Sequence, residues 1–124
     1  MNKLLLTPWL AGLALALTAC ASGPPAPTEQ MAVSAAAIEQ AVSAGAPELA
    51  PRELGTARDK LARAKVAMDA DDNTLALRLA EQAQADAQLA VTKARTAKAE
   101  KAAAALAEDR RVLREEMQRN TNTK

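Results

Sequence analysis

Apolar residues recur every three or four positions over most of this chain, and that spacing predicts three helices. The first is expected from about Glu29 to Ala44, with Thr28 as its N-cap. The second is expected from about Arg52 to Met68, because Pro51 suits a first helical turn. The third starts near Thr74 and meets no later glycine or proline. The pattern predicts an all-α domain, a helical hairpin or small bundle with a long, partly unpaired C-terminal helix.

The apolar positions of the predicted helices form one stripe and two longer seams. Both seams step alternately three and four residues, as in a heptad repeat. The first-helix stripe comprises Met31, Ala35, Ile38 and Val42, and the second-helix seam comprises Leu54, Ala57, Leu61, Ala64 and Met68. The third-helix seam comprises Ala76, Ala80, Ala83, Ala87, Ala90, Ala94 and Ala97, thickened by Leu75, Leu79 and Leu89. Because alanine is small and the best helix former, this row predicts two helices in close approach.

The second and third helices are expected to differ greatly in length. At 1.5 Å per residue, residues 74–119 span about 69 Å and residues 52–68 only about 25 Å. A hairpin folded at residues 69–74 then leaves the third helix without a hairpin partner from about Thr92 onward. Either the first helix covers this segment or another chain does, because an unpacked helix is marginal in water. Beyond Lys101 the apolar stripe weakens to Ala104, Leu106, Val112, Leu113 and Met117.

Residues 1–19 resemble a lipoprotein signal peptide. Lys3 supplies a positive start, and the apolar run that follows is about 16 residues, shorter than the roughly 20 that a membrane-spanning helix needs. The run ends in Leu17-Thr18-Ala19-Cys20, which resembles a lipobox. We therefore expect cleavage between Ala19 and Cys20 and attachment of diacylglycerol to the Cys20 thiol. An ordinary secretory signal or an uncleaved anchor are the alternatives.

The segment after Cys20 predicts a tether rather than part of a core. Three prolines and one glycine lie between Ala21 and Pro27, which makes the segment stiff and extended. The expected organisation is a signal peptide (1–19), a lipidated cysteine and tether (20–28), a helical domain (29–119) and a frayed polar tail (120–124).

The composition excludes several function classes. The chain has no histidine, tyrosine or phenylalanine, and its one tryptophan, Trp9, lies in the predicted signal peptide. Aromatic stacking on bases or sugars, and the usual general base, are therefore lacking after cleavage. The 16 basic and 15 acidic residues balance, which argues against nucleic-acid binding. We expect no enzyme activity, no catalytic residue and no cofactor, and the single cysteine leaves no disulfide.

An acidic segment, residues 69–73, is the one place that resembles a metal ligand cluster. Its first, third and fifth positions match a calcium loop, but the sixth is not glycine and the twelfth is not glutamate. We interpret the segment as an inter-helix turn in which Asp72 or Asn73 caps the third helix, and we expect no metal.

A run of basic residues on the third helix is a candidate interaction face for anionic lipid or for the carboxylates of peptidoglycan. It comprises Lys93, Arg95, Lys98 and Lys101. Acidic residues are interspersed nearby, which favours a solvated helix surface instead. The last residue, Lys124, resembles the lysine by which the major outer-membrane lipoprotein joins peptidoglycan, although the alanine seam and the polar tail differ from that family.

Residues 53–64 (ELGTARDKLARA), 75–87 (LALRLAEQAQADA) and 93–95 (KAR), with the preceding Ala50-Pro51, resemble an uncharacterised family of bacterial envelope lipoproteins. Its alanine-rich helical domain of unknown function is also found ahead of outer-membrane-protein-A-like domains. The resemblance covers about residues 30–104. Members usually carry glycine-aspartate-aromatic at the inter-helix turn, where this chain has Asp71-Asp72-Asn73, so the aromatic wedge is missing.

These observations together predict a lipid-anchored envelope protein without enzymatic activity. Ala21 after Cys20, rather than aspartate, favours the outer membrane with the domain facing the periplasm, by analogy with enteric bacteria. The expected role is structural or adaptor-like, through pairing of the long helix with a second copy or another envelope protein. The alternative is a binding module that contacts peptidoglycan through the basic face of the last helix.

Overall fold

The described part of the chain is built from helices alone. The computed structural model describes residues 23–123, which form α1 (Thr28–Ser43), α2 (Ala46–Leu49), α3 (Pro51–Asp69) and α4 (Asn73–Asn122). No strand occurs among these residues. The predicted all-α fold with a long C-terminal helix is therefore confirmed.

The predicted helix ends are mostly confirmed. Pro51 lies in the first turn of α3, where its missing N–H costs nothing. Asp72 caps α4, since its Oδ1 accepts a hydrogen bond of 3.0 Å from the N–H of Leu75. The predicted N-cap at Thr28 is wrong, because Thr28 is already helical and Pro27, which has no side-chain acceptor, stands in the cap position.

The short helix α2 is absent from the sequence prediction, which ended the first helix at about Ala44 and began the next at about Arg52. Gly45 has a φ of 90°, the left-handed conformation that ends α1, and its N–H donates to the Val42 carbonyl. Pro47 then lies in the first turn of α2, where proline is tolerated. Pro47 therefore lies at the start of a new short helix.

The three long helices run up, down and up. Lys60 Nζ lies 2.6 Å from Asp86 Oδ2, and Glu53 pairs with Lys93. Between these two ion pairs the residue number falls by seven along α3 and rises by seven along α4. The two helices are therefore antiparallel, as the hairpin prediction required. The helix α1 packs on this hairpin and runs parallel to α4.

Two contacts fix the direction of α1. We call the end of the bundle at which α3 ends and α4 begins the lower end. There, Asn73 Nδ2 donates a hydrogen bond of 2.8 Å to the carbonyl of Pro24, just before α1. At the upper end, Gly45, just after α1, lies against the side chain of Lys98. The hydrogen bonds at the lower end of the bundle thus hold together the tether and the α3–α4 turn.

The core consists mainly of the two predicted seams. The seam alanines of α4 from Ala76 to Ala94 are fully buried, and Ala97 is half-buried. Ser34 is the buried polar residue of the described part, and its Oγ lies 2.7 Å from both the Gln30 and the Ala80 carbonyl oxygens. Its hydroxyl thereby links α1 to α4 where the two backbones approach closely. Leu89, expected to thicken the seam, is instead 46% exposed because it faces away from α1 and α3.

Candidate functional site

The part of α4 beyond the bundle is the largest feature that the core does not explain. The register of the two ion pairs brings Pro51, the first residue of α3, level with about Arg95 on α4. Every residue from 99 to 122 is exposed. We call residues 99–122 the overhang; at 1.5 Å per residue it is about 36 Å long, nearly half of the roughly 75 Å of α4. The length mismatch predicted from the sequence is therefore present.

The overhang carries three large apolar side chains on one side. Leu106 is 62% exposed, Leu113 is 58% exposed and Met117 is 60% exposed. They belong to a series that steps four, three, four, three, four and three residues, as positions of a heptad do. We call this series the overhang stripe: Ala99, Ala103, Leu106, Arg110, Leu113, Met117 and Asn120.

The overhang stripe lies on a different face of α4 from the buried seam. The buried alanine seam ends at Ala97, and the stripe begins two residues later at Ala99. At 100° per residue, however, Leu106 lies about 120° and Leu113 about 100° around the helix from the buried Ala94, so the stripe and the seam occupy different faces of α4. The sequence prediction treated the later apolar residues as a weakened continuation of the seam. If the seam continued with the same spacing, it would pass through Lys101, Glu108 and Arg111. The large apolar residues of the overhang are out of phase with that spacing, and this shift was the signal that could have revealed a second stripe.

An ion-pair cluster occupies the face of the overhang opposite the stripe. Arg111 binds Glu108 at 2.6 Å and Glu115 at 2.7 Å, both one helical turn away. The hydrogen bond from Arg111 lowers the pKa of Glu108, and the two carboxylates raise the pKa of Arg111. These charges stabilise the helix locally and leave the stripe uncovered.

The four predicted basic residues do not form one compact surface. At 100° per residue, Lys93 and Arg95 point about 200° apart around the helix. Lys93 is bound to Glu53, and the pKa of that carboxyl is lowered first by this hydrogen bond. Lys98 lies against Gly45, so close that a Cβ added there would be 3.0 Å from its Cε. Arg95 and Lys101 are exposed.

The predicted lipidation and cleavage positions, Cys20 and Ala19, lie outside the described residues. The nearest described feature is the bond between Pro24 and Asn73, which places the start of the described part, residues 23–123, at the lower end of the bundle. The overhang therefore begins at the other end of the bundle and extends away from it. In residues 23–123 no helix is both long and apolar enough to span a bilayer.

The acidic turn is a helix connection, as the sequence predicted. Asp72 supplies the cap, and Asp71 has a φ of 60°, the left-handed conformation usually taken by glycine. Val66, beside the turn, is 69% exposed in a shallow groove that it shares with Leu75 and Leu79, where no aromatic wedge covers it. Among the described residues no group of three or more acidic, histidine or cysteine side chains could hold a metal ion.

Comparison with known protein families matches residues 29–106 to the domain of unknown function DUF4398. The match includes the whole bundle and ends at the first leucine of the overhang stripe. No curated protein and no solved structure matches the chain.

Proposed function

The chain belongs to the DUF4398 family, a domain of unknown function, and from that premise we propose a non-enzymatic structural or adaptor role in the cell envelope. In this proposal Cys20 carries a lipid that anchors the protein, in the outer membrane facing the periplasm. The overhang pairs with a partner helix that presents an apolar stripe of its own.

The exposure of the overhang stripe carries the proposal. An unpacked helix gains little stability in water, and most helices in proteins depend on packing of an apolar face. Burying a leucine or methionine side chain contributes about 1.5–3 kcal/mol, so Leu106, Leu113 and Met117 together could stabilise a helix pair by several kcal/mol. The stripe is separate from the bundle core, so pairing does not require the bundle to open.

The position of the tether supports a spacer role. Four residues separate Cys20 from Pro24, and a fully extended chain spans at most about 3.6 Å per residue, so the lower end of the bundle stays within about 15 Å of an anchored Cys20. The helix α4 begins at that end and is about 75 Å long. With the bundle upright on its tether, the overhang reaches far from the anchoring membrane, where envelope components other than lipid lie.

This geometry also bears on the peptidoglycan alternative. All four predicted basic residues are exposed, but Lys93 is paired with Glu53 and Lys98 lies against Gly45, so Arg95 and Lys101 are the two that do not contact α2 or α3 through these interactions. A purely ionic contact with peptidoglycan leaves the exposed apolar side chains of the overhang without a role. Helix pairing accounts for more of the observed surface.

Fractionation tests the anchor. The full-length chain and its Cys20→Ala variant are expressed in a bacterium with an outer membrane, and the membrane and soluble fractions are compared. We expect the parent chain in the outer membrane and the variant away from that fraction. Parent chain in the soluble fraction, or a variant that stays in the outer membrane, contradicts the lipid anchor.

Matched charge substitutions test the pairing. Leu113→Asp places a carboxylate in the overhang stripe, and Val112→Asp places the same group one residue away, outside the stripe, where Val112 is 43% exposed. Native gel electrophoresis of mild detergent extracts should show a complex that Leu113→Asp removes and Val112→Asp keeps. A parent chain without any complex, or two variants with the same effect, contradicts helix pairing. Loss of sedimentation with peptidoglycan in an Arg95→Gln, Lys101→Gln variant favours the alternative.

A further inference from the structure

The overhang stripe has the features of a parallel, two-stranded coiled coil, and we infer that its partner is a second copy of this chain. This inference rests on the proposed helix pairing and names the partner and its direction. It depends on the heptad positions of the stripe, on the charges that flank it and on the end of the bundle at which the tether lies.

The residue types along the stripe suit a two-stranded assembly. With Leu106 and Leu113 at d, the a positions are Ala103, Arg110 and Met117. Parallel dimers carry leucine at d, usually with a β-branched residue at a; this stripe has the leucines but not the β-branched residues, and its single basic residue at a specifies register and number of strands at some cost in stability. Arg110 is the one charged residue of the stripe, and it lies between the two leucines.

The flanking charges are complementary between two parallel copies. In a parallel dimer each g residue faces the e residue five positions later on the partner. Arg95 then faces Glu100, and Asp109 faces Arg114. The other two pairs, Ala102 with Ala107 and Glu116 with Thr121, contain no like charges.

An antiparallel pair of the same helices is disfavoured. The arrangement that keeps Leu106 opposite Met117 places Arg110 against Leu113 of the second copy. It also brings Asp109 next to Glu116, since g residues face g residues in antiparallel pairs, and like charges there repel. The parallel arrangement instead places Arg110 beside Arg110 of the second copy, which is the cost that a basic a residue carries, but its flanking pairs Arg95–Glu100 and Asp109–Arg114 are attractive.

The tether geometry selects the same direction. The bond between Pro24 and Asn73 places the tether beside the start of α4, so two copies anchored in one membrane point their overhangs the same way. Anchoring also raises the effective concentration of each copy for the other, as linked binding sites do. A stripe of about three heptads, too short to pair strongly between free chains, can then associate.

Site-specific disulfide formation tests the inference in the full-length, anchored chain. Leu113→Cys places a thiol at a d position, where two parallel copies bring their Cβ atoms within disulfide range. Val112→Cys is the matched control, one residue away at an outer position. The parent chain controls for Cys20. We expect oxidation of envelope preparations to give severalfold more dimer with Leu113→Cys than with Val112→Cys or the parent.

Three other results would overturn the inference, and they have different meanings. A dimer that forms only between Leu113→Cys and Arg110→Cys chains indicates antiparallel pairing. A photoreactive residue at position 113 that labels a different protein, with no dimer, excludes a second copy but leaves the proposed helix pairing intact. Equal labelling from positions 112 and 113, or none from either, excludes both the dimer and the proposed function.

Discussion

Close packing of the alanine seam can be tested with one substitution made at two places. Ala87 is fully buried between α4 and its neighbours, whereas Ala103 is exposed in the overhang stripe. Ala87→Leu adds three carbon atoms where helices touch, so neighbouring side chains or whole helices must move. Forcing extra methylenes into a packed core typically costs about 1–3 kcal/mol.

The expected change in melting temperature follows from that free energy. For a domain of roughly 60–100 residues, each 1 kcal/mol shifts the unfolding midpoint by about 4–8 °C, so Ala87→Leu should lower it by about 4–24 °C. Ala103→Leu should change stability by no more than about 0.5 kcal/mol in the separate chain, because both residues favour helix and the site is exposed. In a dimer it should raise stability, since leucine then fills an a position.

Thermal unfolding followed by far-ultraviolet circular dichroism measures both variants in the full chain held in mild detergent. The two substitutions have the same helix propensity change, so any difference between them reports packing alone. An unchanged midpoint for Ala87→Leu, or an equal loss for Ala103→Leu, would refute the argument that the seam holds the helices in close contact.

Three further predictions concern polar groups. Ser34→Ala removes the hydroxyl that donates to the Ala80 carbonyl and should lower the free energy of unfolding by about 1 kcal/mol in urea titrations, with an unchanged slope. Lys93 lowers the pKa of Glu53 below its ordinary value of 4.5. The Glu53 carboxylate therefore stabilises the folded chain above pH 4.5, and this stabilisation is lost as the pH falls through the lower folded-state pKa. Glu53→Gln should reduce the difference in melting temperature between neutral and acidic solution. Asp71→Gly relieves a left-handed φ of 60° and should stabilise the turn by up to about 1 kcal/mol in the same urea titration, and a loss of stability would contradict that reading of the turn.

Local signals in the sequence determined the helices well. The seam of α3 and α4 is buried almost as its spacing predicts, and the cap at Asp72 and the proline at position 51 lie where local rules place them. The errors are also local. The helix α2 and the start of α1 depend on whether a proline ends one helix or begins the next, and short-range spacing does not distinguish these cases.

The candidate site was only half predictable. The sequence indicated that α4 extends beyond α3, because helix length follows directly from residue count. It did not indicate that Lys93 and Lys98 are held by the bundle, because Glu53 and Gly45 are distant in the chain. Helical spacing alone separates Lys93 from Arg95, whereas the contacts of Lys93 and Lys98 become known only from the fold.

By itself, then, the sequence determined an all-α protein with an alanine seam, a long last helix and a segment of that helix in excess of its partner. Repeats of three and four residues encode helices and their apolar faces through backbone geometry, which is local. Only the tertiary structure decided that α1 lies parallel to α4, that α3 reaches only to about Arg95, and that residues 99–122 are left exposed. Those facts depend on which helices meet and in which register, and contacts between distant parts of the chain set them.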